Sequence, residues 1–230
     1  MKMRTINRIL MALCLAAGGV VLWILYLYNY IPHRQFRDED FQIVFQSAEN
    51  DQNHNGIDDF RDILAGAKQE VLRNPHYRSA YYEGGYPPPE EGVCTDVIWR
   101  SLETAGYDFK AMIDADIAQC VACYPRVDGH SDPNIDFRRV PNIHVFLARH
   151  TRSLTTDIND IDEWQAGDIV VFSDSHIAIV SDIRNHHGVP FLIHNAGLYK
   201  MEEDCLWREA FLKGVSGHYR FIYHEAAWHE

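Results

Sequence analysis

Residues 167–183 read GDIVVFSDSHIAIVSDI. Two apolar, β-branched runs, 169–172 and 177–180, flank the polar turn Ser173-Asp174-Ser175. Runs this short, bounded by turn residues, are strands, and their lack of polar alternation means burial on both faces. A third run, VPFLIHNAG (189–197), follows, and HYRFIYH (218–224) reads as a last strand. Upstream the apolar period is helical in DILAGAKQEVLRN (62–74), CTDVIWRSLETAG (94–106), DFKAMIDADIAQCVACYP (108–125) and PNIHVFLARH (141–150), the last with Pro141 at its start. Helices first and a meander of strands afterwards predict a segregated α+β domain, with no internal repeat.

The chain has 230 residues and a formal net charge of -12. A long acidic chain without a basic-aromatic patch repels phosphate backbones, which excludes nucleic acid as the expected partner. The 5 cysteines follow no regular framework, and a chain with 47% hydrophobic residues has a core without them. Cys120 and Cys123, in CVAC, lack a second ligand pair for zinc, and are read as core packing or an incidental disulfide.

The N-terminus differs from the rest. Lys2, Arg4 and Arg8 precede a run from Ile9 to Tyr28 without a charge, and Trp23, Tyr26, Tyr28 and Tyr30 crowd its far end. The length suits a bilayer-spanning helix and the aromatic residues an interfacial belt. We read residues 1–30 as an uncleaved signal-anchor crossing a cell membrane once, with the soluble part outside; Arg34 and Arg37 weaken the charge asymmetry. Residues 31–62 form a connector, running into a short helix, and residues 63–230 the folded domain.

Within the connector, DQNHNGIDDFRD (51–62) has calcium-loop spacing. Asp51, Asn53 and Asn55 fall at positions 1, 3 and 5, and Gly56 falls at the sharp turn. Ile57 offers a carbonyl and an apolar anchor, and Asp59 and Asp62 fall at 9 and 12. The loop resembles those of dockerin-type repeats. With two amides and a short Asp at 12, weak structural Ca²⁺ binding is expected, as suits an extracellular site.

Cys94 opens a helix, where unpaired N–H groups and the dipole favour a thiolate. A nucleophile needs a base. His176 starts one strand and His194 ends the next, so antiparallel pairing places them side by side. His176 could then accept the Cys94 proton while His194 or Asn195 holds its other nitrogen. Arg138, Arg139 and Arg220 could bind a substrate carboxylate, or form salt bridges.

The order of a Cys at a helix start, GDIVVF, HIAIV and LIHNAG resembles the NlpC-type cell-wall cysteine peptidases, which have a compact papain-like fold. That resemblance implies Cys94 as nucleophile, His176 as base and His194 as orienter, with Tyr82 of YEGGYPPPEEGVC assisting the oxyanion site. Those peptidases read Asp-Cys-Ser-Gly at the nucleophile; here Val93 and Asp96 replace the Asp and the Gly. GGYPPPEEGVCTDVIWRSLETAGYD, NIDFRRVPN, WQAGDIVVF, HIAIVSD, IHNAG and GHYR more closely resemble the YijF-like family of bacterial domains of unknown function. This second resemblance implies a bacterial envelope protein. The expectation is a membrane-anchored cysteine hydrolase acting on cell-wall peptides. Acyl transfer or thioester hydrolysis at the same site is an alternative, as is a non-catalytic, calcium-stabilised surface domain.

Overall fold

The computed structural model describes residues 2–197 and 200–223. It divides into two compact units, Met1–Arg34 and Gln35–Glu230. The first contains α1 (Lys2–Leu27), of which Ile6–Leu27 is long and apolar enough to cross a membrane. At 1.5 Å per residue these 22 residues extend about 33 Å, a little more than a bilayer's hydrocarbon core. A signal sequence passes the same test of length and composition.

The second unit is α+β. Its helices are α2 (Asp59–Arg73), α3 (Cys94–Thr104), α4 (Phe109–Gln119), α5 (Val140–His150) and α6 (Leu206–Lys213). A two-residue parallel pair, β1 (His76–Tyr77) with β2 (Glu91–Gly92), clips the chain ahead of α3. The main sheet contains β3 (Arg152–Ser153), β4 (Ile169–Phe172), β5 (His176–Arg184), β6 (Pro190–Ile193), β7 (Glu202–Glu203) and β8 (Val215–Arg220). All its pairings are antiparallel, in the order β3-β8-β4-β5-β6-β7.

The expected strands form, but not a plain meander. β8 inserts between β3 and β4, and it runs over 215–220 rather than 218–224. Residues 224–230, counted within the folded domain from sequence, lie outside the described residues. The connector's short helix is a single 3₁₀ turn, Asp38–Phe41. α2 begins at Asp59 because Asp58 caps it, accepting from the Arg61 N–H. At Gly167, just before β4, φ is +92° and a Cβ would lie 2.7 Å from the Phe60 carbonyl oxygen, so only glycine lets α2 approach there.

The continuous apolar runs behave as their lack of alternation predicts: all four β4 residues are buried. Ile169, Val171, Ile177, Ile179 and Ile193 pack with Ile98, Leu102, Phe109 and Phe146 from the helices α3, α4 and α5. The alternate residues Val170, Phe172, Ala178, Val180 and Leu192 pack with Trp164, Cys205 and Leu206. One face therefore carries the large helical layer and the other carries α6.

Candidate functional site

Cys94 occupies the first position of α3, among the residues of the helical-layer core. The backbone N–H groups of Ile177, Thr95 and Cys94 itself lie near its sulfur and favour the thiolate. The Ile177 N–H is available for a topological reason. The last β5–β6 partners are Ile179 and Ile193, so the ladder stops before Ile177 and leaves an opening at the sheet's end. Burial outweighs these donors, and Asp96 adds to the effect, so the thiol is pushed up to about 11.

His176 and His194 do come together. His176 Nε2 lies 2.5 Å from His194 Nδ1, and both rings are buried. They project onto the α6 face: His176 is paired with Phe172, and both rings alternate with residues of the helical-layer core. His194 Nε2 faces Glu203 Oε1 at 3.0 Å and Cys205 Sγ at 3.6 Å. Arg208 closes the cluster by donating to Glu203 and Glu209. Burial, then His194, Lys213 and Arg208, lower the His176 pKa to about 2, so this ring is neutral at pH 7.

The expected arrangement is thus assembled in part. The two imidazoles meet, but Cys94 forms no hydrogen bond with either among the described contacts. Cys94 packs in the helical-layer core, whereas the two rings project onto the α6 face. Strand alternation explains the separation, since Ile177 and His176 point to opposite faces. Asn195 does not hold His176; its Nδ2 donates to the carbonyls of Pro75 and Gly92, tying down the chain that leads into Cys94.

Tyr82 also departs from its expected place. Its hydroxyl donates to Glu91 Oε2 at 2.7 Å, and the Arg138 guanidinium covers its ring. Tyr77 is the tyrosine near the thiol: burial, then the Cys94 charge, raise its pKa. It helps line a crevice of about 340 Å³ with His76, Asn195, Gly197 and Met201.

Asp96 accepts two hydrogen bonds from Arg138, at 2.7 and 2.8 Å, and others from Trp99 Nε1 and the Val93 N–H. It therefore caps α3 and anchors the preceding loop. All three candidate substrate arginines have internal partners: Arg138 binds Asp96, Arg139 binds Asp136, and Arg220 binds Asp168. Cys120 and Cys123 form a disulfide after α4.

The loop over 51–62 gathers part of the expected calcium set. Asp51 accepts from the N–H groups of Asn55 and Gly56. Asn53 Nδ2 and Asn55 Nδ2 both donate to Asp62 Oδ2, at 2.6 and 2.9 Å. Asp59 is turned away, accepting from the Gln52 N–H and the Tyr107 hydroxyl. Ile57 is no apolar anchor, being 47% exposed. Asp51, Asn53, Asn55 and Asp62 thus fit a cation, once the amides turn their oxygens inward; the Asp59 carboxylate is already engaged.

Sequence reading did not single out β7, α6, Glu203, Cys205 or Arg208. Glu203 lies in the charged run Glu202-Glu203-Asp204 and carries no local signal of burial.

Residues 64–221 match the family model described as "Domain of unknown function (DUF1287)". The chain is 39% identical over 172 residues to a relative printed as "Uncharacterized protein YijF" from Escherichia coli (strain K12), covering 70% of this chain and 80% of that protein. No solved structure matches.

Proposed function

We propose that this chain, which belongs to the DUF1287 family, is a thiol-dependent hydrolase of the NlpC kind. Its substrates are amide bonds in cell-wall peptides, and it works outside the membrane to which its N-terminal helix anchors it. The observation that carries this reading is the placement of Cys94 as the first residue of α3, its sulfur beside the backbone N–H groups of Ile177, Thr95 and Cys94. Donors so placed stabilise a thiolate, and later an oxyanion beside it. The disulfide between Cys120 and Cys123 accords with an oxidising compartment.

In this reading His176 turns at the opening beside Ile177 and takes the thiol proton. The sulfur attacks the amide carbonyl carbon, and the returned proton leaves with the amine. Water, deprotonated by the same ring, then cleaves the thioester and restores the thiol. The crevice beside Tyr77 receives the substrate. An acyl acceptor other than water would make the same site a transferase, shown by mass spectrometry of the product released from the acyl-enzyme. A structural Ca²⁺ at Asp51, Asn53, Asn55 and Asp62 would brace the loop before α2. Calcium that raises the melting temperature of the wild type, but not of Asp51→Ala, supports that site; equal curves in calcium and chelator reject it.

A second reading, a non-catalytic wall-binding domain, is favoured by the raised thiol pKa and by the missing contact with His176. Muropeptide hydrolysis by the wild type and its loss in Cys94→Ala separate the two. Hydrolysis retained in Cys94→Ala rejects the thiol mechanism. Wall binding with no hydrolysis by either protein favours the second reading.

A further inference from the structure

The buried polar chain behind His176 has a direction. Glu203 lies 3% exposed and His194 0%. An ionised carboxylate only accepts, so its 3.0 Å contact requires a proton on His194 Nε2. A neutral His194 then has a bare Nδ1, which can only accept. The 2.5 Å contact therefore requires a proton on His176 Nε2, and leaves His176 Nδ1 without one.

Glu203 is ionised because hydrogen bonds from His194 and Arg208 outweigh its burial and hold its pKa below the usual range. Arg208 already supplies a cation facing Glu203, 3.1 Å from Oε1, so that carboxylate needs no imidazolium beside it. The other charged groups near the rings are Lys213, which pairs with Glu209, and Glu209, which also binds Arg208. Among the described residues a further titratable neighbour is Cys205 Sγ, a buried thiol raised chiefly by desolvation.

We propose that Glu203, acting through His194, is a positioning residue that fixes His176 as its Nε2–H tautomer and leaves Nδ1 as the base nitrogen. The catalytic use of that nitrogen rests on the hydrolase reading above; the tautomer does not. His194, Glu203 and Cys205 also have the donor types of a metal site, with their ligand atoms within 4.8 Å of one another. Arg208 on the same carboxylate oxygen disfavours a dication there.

The test uses the full chain in detergent micelles with ¹⁵N-labelled histidine, the ring signals assigned by His176→Gln and His194→Gln. At pH 7 a proton on Nε2 and none on Nδ1 is expected for both rings. Elemental analysis is expected to find no bound zinc or other transition metal. Glu203→Gln, which lacks the charge but keeps the shape, is expected to mix the tautomers of both rings. A proton on His176 Nδ1, a doubly protonated His194, or one zinc per chain in place of the His194 Nε2 proton overturns the proposal. Tautomers that stay unmixed in a folded Glu203→Gln variant overturn the role of Glu203. If that variant does not fold, the wild-type ring pattern and metal content decide. The expected pattern together with an inert Cys94 would leave the relay standing and remove the hydrolase reading.

Discussion

The two faces of the central sheet each bury a thiol and an Arg–carboxylate pair, yet they do so differently. On the helical-layer face, Cys94 sits among backbone donors, and Asp96 and Arg138 form a bidentate pair that holds α3 to its preceding loop. On the α6 face, Cys205 sits among ionisable side chains, and Arg208 shares its carboxylate partner with an imidazole. The first arrangement uses fixed dipoles, which cannot titrate. The second is a relay whose charge depends on where protons reside. On the hydrolase reading the former suits a nucleophile and the latter a base, and the two would meet at the end of β6.

The largest expected effect tests the rigid face. Arg138→Ala leaves Asp96 ionised and unpaired in a site only 1% exposed. Breaking such a pair costs about 3–5 kcal/mol. Urea denaturation that shows a loss below about 1 kcal/mol would mean that this pair behaves like one at the surface.

The next concerns pH and the relay face. The native His176 ring stays neutral down to about 2, whereas the unfolded ring takes a proton below about 6.5. Between those values the unfolded chain binds more protons, so stability rises with pH and falls as the solution is acidified. The slope from this ring approaches about 1.4 kcal/mol per pH unit below pH 6. It should be shallower by that amount in His176→Gln, as read from denaturation at pH 5 and pH 7. Equal slopes would show that His176 protonates in place.

Thiol chemistry sharpens the contrast. On the hydrolase reading, iodoacetamide at pH 7 labels Cys94 at least about ten-fold faster than Cys205, because a nucleophile must be reached by its substrate and deprotonated by its base. Peptide mapping of the alkylated protein measures the ratio. Equal, slow labelling of both would make Cys94 a packing residue. The smallest effect belongs to Tyr82→Phe. It removes a half-exposed hydroxyl bond to Glu91 and is expected to cost less than about 1 kcal/mol, with no change in Cys94 labelling. A marked fall in labelling would return Tyr82 to the site.

Much of this molecule is legible in short windows. The spacing of Ile98, Leu102 and Ala105 makes α3, and the apolar continuity of 169–172 makes a doubly buried strand, because local periodicity carries both signals. The approach of His176 and His194 is also local, since one antiparallel hairpin joins them. Glu203 was hidden because its burial depends on β7 pairing with β6 and on the turn into α6 that brings Arg208 over it, and a two-residue strand carries no periodic signal of either. Tyr82 and Tyr77 could not be told apart by spacing, since the Pro-rich loop between them and Cys94 sets their reach.

By itself the amino-acid sequence determined the helical and extended segments, the charge-free N-terminal run and the placement of Cys94 at a helix start, all consequences of short-range backbone and hydrophobic patterning. Only the tertiary structure decided which sheet face each ring and thiol occupies. β8 enters between β3 and β4, and α6 covers the face that the helices leave open. Those choices depend on long-range packing, and they place the sulfur and the imidazoles on different faces of the sheet.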